Sequence, residues 1–151
     1  MANIGVMPGQ YEYAYVKIYT DSYPRLIMTR GRSIKYKDCY DTVGGYIEVV
    51  PAFQLGYEDI RMVLNDEGKL DDFEINPYAT YLYNVKDDYI VGNVIICGQG
   101  FNDDGEPDII ALPIDRARDI WLKAVLLYLE GNHYGNHSAA AESTRGSSQE
   151  G

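Results

Sequence analysis

Histidine, tryptophan, phenylalanine and cysteine are all scarce in this chain. It has two, one, three and two of them in 151 residues. Two cysteines, Cys39 and Cys97, cannot build a disulfide framework, so they read as reduced thiols in a reducing compartment. The histidines, His133 and His137, stand four apart, a spacing that holds a metal on a helix. Gly131 and Gly135 interrupt a helix there, and no nearby Cys or carboxylate cluster completes a ligand set, so no metal site is assigned. With no other histidine, proton transfer at neutral pH would fall to a carboxylate of raised pKa, and none of the 23 acids stands out. A Gly-x-Ser-x-Gly elbow and a phosphate loop ending in Gly-Lys-Ser or Gly-Lys-Thr are absent. No catalytic residue and no cofactor are assigned, and the chain is not read as an enzyme.

Long apolar runs are missing too. VIIC within YIVGNVIICG is far short of the ~20 residues that cross a bilayer. The opening MANIGVMPGQ has neither the basic flank nor the apolar stretch of a secretory signal. These features predict a cytoplasmic protein with no membrane partner. Bases are outnumbered, 13 against 23 acids, for a net charge of −10. Direct nucleic-acid binding, which relies on Lys and Arg to displace counterions, is therefore not expected.

Hydrophobic residues make up 46% of the chain, and there are fifteen tyrosines. A domain of this length buries roughly 70% of its unfolded surface and needs no covalent staples. Charge is unevenly placed. Lys17, Arg25, Arg30, Arg32, Lys35 and Lys37 face Asp21 alone, whereas thirteen acids between Tyr57 and Asp108 face Arg61, Lys69 and Lys86. That polarity offers a basic patch and an acidic face if folding preserves it.

The chain reads as a flexible N-terminus over 1–10, a single α+β domain over 11–131 and a disordered polar tail over 132–151. YEYAYVKIYT alternates with period two, placing Ala14, Val16 and Ile18 on a buried face and a row of tyrosines toward water. YPRLIMTRG predicts a second strand, and Ser33 caps a short helix that Gly44 and Gly45 stop. GYIEVVP is a strand, and IRMVLNDEGKLDDFEI reads as a hairpin turning at Asn65–Gly68. Asn76 and Pro77 open a helical turn. YIVGNVIICG is the most apolar strand and belongs in the middle of the sheet, and QGFNDDGEPD is a polar loop. Its Asn102, Asp104, Glu106 and Asp108 alternate oxygen ligands, but the glycine is misplaced and the bidentate Glu is missing, so a solvated loop is expected over a calcium site. PIDRARDIWLKAVLLYLE is the strongest helix, with an Asp119–Lys123 pair and Gly131 as its end. Its leucines 122, 126, 127 and 129 exceed what one sheet face needs, which predicts a homo-oligomer. The predicted fold is a twisted, mostly antiparallel sheet of about five or six strands. The long C-terminal helix packs on it, beside one or two short helices.

VGGYIEVVP, LNDEGKLDDFEIN, Ala79 and Thr80, and then YIVGNVIICG resemble the domain-of-unknown-function family 3846 over roughly Val43 to Gly98. The resemblance implies a context, a small accessory protein of phages and mobile elements, and brings no activity or site residues. The leading expectation is a protein that inhibits a host system, such as antiviral defence, by stoichiometric binding to a protein with a basic surface. Asp66, Glu67, Asp71, Asp72 and Glu74 would form its acidic contact face. The alternative is a sponge for an anionic nucleotide, held by Arg30, Arg32, Lys35 and Tyr36, where a tyrosine stacks a base and cations hold phosphate. A small enzyme without a recognisable motif is the third reading.

Overall fold

The computed structural model describes residues 11–145, with side chains over 11–131 other than that of Phe53. Strands β1 (Tyr13–Ile18) and β2 (Arg25–Thr29) lead to helix α1 (Tyr36–Val43). Strand β3 (Ile47–Pro51), a 3₁₀ turn (Phe53–Leu55), β4 (Ile60–Asn65) and helix α2 (Pro77–Tyr83) follow. Strands β5 (Val94–Phe101), β6 (Pro107–Ile110) and β7 (Leu112–Pro113) precede helix α3 (Ile114–Arg145). The sheet is antiparallel throughout, in the order β2-β1-β5-β4-β3, with β6 beside β5 and β7 beside β1. The architecture is α+β, as the residue pattern predicts, with seven strands in place of five or six.

β5 is central because Val94 to Gly98 is apolar on both faces and buried throughout. Fully burying one such aliphatic side chain contributes about 1.5–3 kcal/mol, so both faces need cover. On one face Ala14, Val16, Ile18, Ile60, Met62 and Ile96 meet Ala117, Ile120 and Ala124 of α3 and Leu82 of α2. On the other, Tyr15, Val63, Ile95 and Cys97 meet Cys39 and Val43 of α1. This second core corrects the water-facing tyrosine row, since Tyr15 is only 5% exposed. Its hydroxyl donates to Asp38 Oδ2, and Lys17 Nζ bonds Asp38 Oδ1 at 2.8 Å. Both cysteines are free and buried. Burial first, and then the Asp38 charge, pushes the Cys39 thiol up to about 11, which makes it a poor nucleophile at neutral pH.

Several local readings change in three dimensions. Lys35, not Ser33, occupies the cap position of α1, and Gly44 ends that helix at φ 84°. Ser33 bridges to Ile110 instead. The segment after β4 does not return as a hairpin: it winds through turns to Ile75, which bridges to Val91. The polar loop after β5 is itself a hairpin between β5 and β6. Its buried Asn102 accepts the Asp104 and Glu106 N–H groups and donates to Asp108 Oδ2, so the alternating oxygens serve the turn. No group of metal-binding side chains occurs among the described residues.

Gly131 does not stop α3. A Cβ there would stand 3.0 Å from Tyr78 Cε1, so the glycine serves close approach between α3 and α2. The helix continues to Arg145. The polar-tail reading over 132–151 falls outside the described side chains, as the N-terminal reading over 1–10 falls outside the described residues. The expected Asp119–Lys123 pair is not among the ion pairs of the described residues. Arg116–Asp59 at 2.9 Å and Arg118–Asp115 at 3.7 Å occur there. Trp121 Nε1 donates to Pro24 O at 3.0 Å, fastening α3 to the turn before β2. No helix among the described residues is long and apolar enough to cross a membrane.

Asn76 caps α2 as expected and does more. It is fully buried, its Oδ1 accepts the Ala79 N–H at 3.0 Å, and its Nδ2 donates to Ile18 O and Gly92 O. One side chain thus joins the ends of β1, α2 and the approach to β5. Asn76→Ala removes a cap and strands two buried carbonyls, for a loss of about 2–4 kcal/mol in urea unfolding. A loss below about 1 kcal/mol would show that the three segments are joined by packing alone.

Candidate functional site

The five predicted acidic residues lie in one loop, 66–74, between β4 and α2. Buried Asn65 starts it: its Oδ1 accepts the Glu67 N–H at 2.8 Å, and its Nδ2 donates to Val43 O at 3.3 Å. Backbone bonds from Asp71 N to Glu67 O and from Phe73 N to Gly68 O, both 2.9 Å, wind the loop into a compact turn. Asp72 closes it in the left-handed region at φ 59°, a conformation that Asp tolerates better than most residues. Gly68 has no positive φ, so it does not supply the left-handed residue that a bulged hairpin turn needs.

Phe73 is the wedge under this loop. Its ring lies against Gly92, whose φ is 76° and whose added Cβ would stand 2.8 Å from Phe73 Cδ2. Gly92 N donates to Glu74 O at 2.8 Å, and Asn76 N to Ile90 O at 2.8 Å, so the far end is also fixed. With both ends held, Asp66, Glu67, Asp71, Asp72 and Glu74 are all exposed. Among them stand Leu70, 83% exposed, and Ile75, 57% exposed. Sequence reasoning found the acids and missed these two apolar side chains, because a hairpin assigns alternate residues to a packed face. The loop's one base, Lys69, bonds Asp88 Oδ1 at 2.8 Å and lies 4.3 Å from the Tyr89 ring centroid. Lys69 and the Tyr89 N–H hold the Asp88 carboxyl below its usual range.

The basic residues do not converge in the same way. Lys35 lines an open cleft of about 430 Å³ with Tyr15, Thr29, Ser33, Lys37 and Asp38, whereas Arg30, Arg32 and Tyr36 are not among its walls. The Arg30 guanidinium lies 5.7 Å from the Tyr11 ring centroid. Tyr36 belongs to a row of rings with Tyr40 and Tyr46, at centroid distances of 6.1 and 5.5 Å. Asp103, from the acidic half of the sequence, accepts the Arg32 and Ser33 N–H groups at 2.9 and 3.0 Å. Those two N–H groups hold its carboxyl below the usual range. The charge polarity of the sequence is therefore partly cancelled at this end and kept at the loop. At the cleft floor, burial pushes the Asp38 carboxyl up, but the Lys17 and Tyr15 hydrogen bonds outweigh it and leave it lowered.

The fold and this loop define a small α+β protein whose sheet is helix-covered on both faces and whose loop 66–74 exposes five acids together with Leu70. A family model, Domain of unknown function (DUF3846), matches residues 15–121, and the chain belongs to that family. The match is wider than the segment 43–98 and takes in the tyrosine-rich strand and the first part of α3. No curated protein and no solved structure matches the chain.

Gly92→Ala would force a Cβ into Phe73 in a backbone region that costs non-glycine residues about 1–3 kcal/mol. Amide exchange should quicken across Glu67–Phe73 while β5 stays protected. Unchanged exchange in that loop would show that Phe73 is not its anchor.

Proposed function

We propose that this protein is a stoichiometric binder that docks through loop 66–75 onto a basic protein surface. In the context that the family resemblance implies, it would be a phage or mobile-element accessory protein that inhibits a host system such as antiviral defence. The observation that carries the reading is Leu70, held out in water among five carboxylates on a loop fixed at both ends. An exposed apolar residue ringed by charge suits a contact in which the acids steer approach and the apolar centre is buried. Prior fixing of the loop lowers the ordering cost of association.

The test is affinity capture from host lysate read by native mass spectrometry. A basic protein should be retained in fixed ratio. Leu70→Asp should weaken its retention by about 2 kcal/mol or more, the scale of a central contact residue. Reversing Asp71, Asp72 and Glu74 to Lys should slow association, and added salt should do the same as it screens charges beyond about 8–10 Å. Replacing Arg30 and Arg32 should change little. Retention of a nucleotide that depends on Arg30, Arg32, Lys35 or Tyr36 would overturn the reading in favour of nucleotide capture.

The same reading includes self-association. Leu122, Leu126 and Leu129 are 46%, 62% and 51% exposed at i, i+4 and i+7 of α3, one face of the helix. Two-fold pairing of that stripe would cover it. Light scattering at micromolar concentration should give about twice the 17.0 kDa chain mass, and Leu126→Asp should give the single mass. A wild-type chain that runs at 17.0 kDa would exclude the dimer.

A further inference from the structure

Beside the acidic loop lies a cavity of about 180 Å³, bounded by β3 and β4 below and by the segments around Gly68 and Tyr89 above. Half-buried Val50 and Leu64 and the rings of Tyr83 and Tyr89 give it apolar surface. Four carboxylates line it, those of Glu48, Asp66, Glu67 and Asp88, against the single ammonium of Lys69. Lys69 is already spoken for by Asp88 at 2.8 Å and by the Tyr89 face at 4.3 Å. That arrangement is a cation held between a carboxylate and an aromatic ring, built from the cavity's own wall. Glu48, Asp66 and Glu67 appear in none of the ion pairs among the described residues.

We propose that this cavity receives one arginine side chain of the protein partner, with its methylenes over Val50 and Leu64 and its guanidinium against Tyr83 and the Glu48, Asp66 and Glu67 carboxylates. The inference rests on the binding role of loop 66–75 and specifies the chemistry of the partner. Arginine fits better than lysine for two physical reasons. Its planar guanidinium stacks on aromatic faces, and its forked donors serve more than one carboxylate at once. An ammonium is a compact point charge, and Lys69 already supplies one here. A cavity of about 180 Å³ admits a long side chain and is too small for a folded element.

The test needs no identified partner. The full chain is titrated with N-acetyl-arginine amide, and with the neutral isostere N-acetyl-citrulline amide, while backbone amide shifts are followed. Saturable shifts at Gly68, Lys69, Tyr89 and Val91 are expected with arginine and not with citrulline. Glu48→Gln with Glu67→Gln should weaken the arginine response about fivefold, in keeping with small contributions from partly exposed ion pairs. Asp104→Asn, a change of charge on the distant β5–β6 turn, should leave it unaltered. The amide spectrum of each variant reports whether the fold is kept. Equal shifts with citrulline, shifts scattered over the acidic surface, or equal weakening by Asp104→Asn would overturn the proposal. No response to arginine alongside intact Leu70-dependent capture would remove this inference and leave the binding loop standing. An arginine response without any capture of a protein would do the reverse.

Discussion

The burial of β5 on both faces is the constraint from which most of this architecture follows. An antiparallel sheet can leave one face to water, but a strand reading VIICG cannot accept that arrangement without exposing Ile95 and Cys97. Helix α1 therefore crosses the second face, although its own eight residues bring only Cys39 and Val43 to the core. Covering that face has a chemical consequence. Tyr15 is carried into the core with its hydroxyl, and a buried hydroxyl without a partner costs about 1–3 kcal/mol. Asp38, next to Cys39 on α1, accepts the hydrogen bond from that hydroxyl, and Lys17 from the same face of β1 balances the carboxylate. The polar cluster under α1 is thus a product of packing.

The loop after β4 owes its shape to groups outside itself. Asn65, Asn76 and Gly92 are remote from one another in sequence, and each fixes a different part of the segment 66–75. The two asparagines work through amide groups that satisfy backbone polar atoms at strand ends, and the glycine works by having no Cβ. A segment held this way spends little conformational entropy when it meets a partner, because most of that entropy is lost during folding. On the proposed reading the five carboxylates would act over distance and Leu70 at contact, so that basic partners would be drawn in and those offering an apolar hollow retained.

What could be read in the sequence was whatever depends on neighbours in the chain. The strand through Val16, the apolar run at Ile95, the Asn76–Pro77 start of α2, the Gly44 stop and the amphipathic stripe of α3 all survive in the structure. The failures share a different cause. Gly131 looks like a helix end because glycine is a poor helix former, yet it lets Tyr78 of α2 approach α3 closely, a contact between residues distant in the chain and invisible to local pattern. Asn65–Gly68 carries hairpin chemistry, but Phe73 finds its place against Gly92 and pulls the chain away from β4. The acids of the candidate site were visible as composition. Leu70 was not, because exposure is decided by where Phe73 goes.

Charge shows the same dependence on long-range placement. In sequence the basic and acidic halves look separable, and a nucleotide site in the first half stands as the alternative to a protein site in the second. Folding treats them unequally. The β5–β6 hairpin returns Asp103 to the N–H groups of Arg32 and Ser33, and α1 places Asp38 beside Lys17, so anions are interleaved with the cations. On the other side only Lys69 enters the acidic loop, and Asp88 neutralises it in turn. The negative field therefore remains concentrated at the loop, where it acts together with an exposed leucine. On the basic side Lys17 and Lys37 are ion-paired with Asp38 and Asp41, and Asp103 sits at the Arg32 backbone. That difference in how the two halves are placed, and not the raw count of acids, is what favours the proposed basic protein surface over an anion.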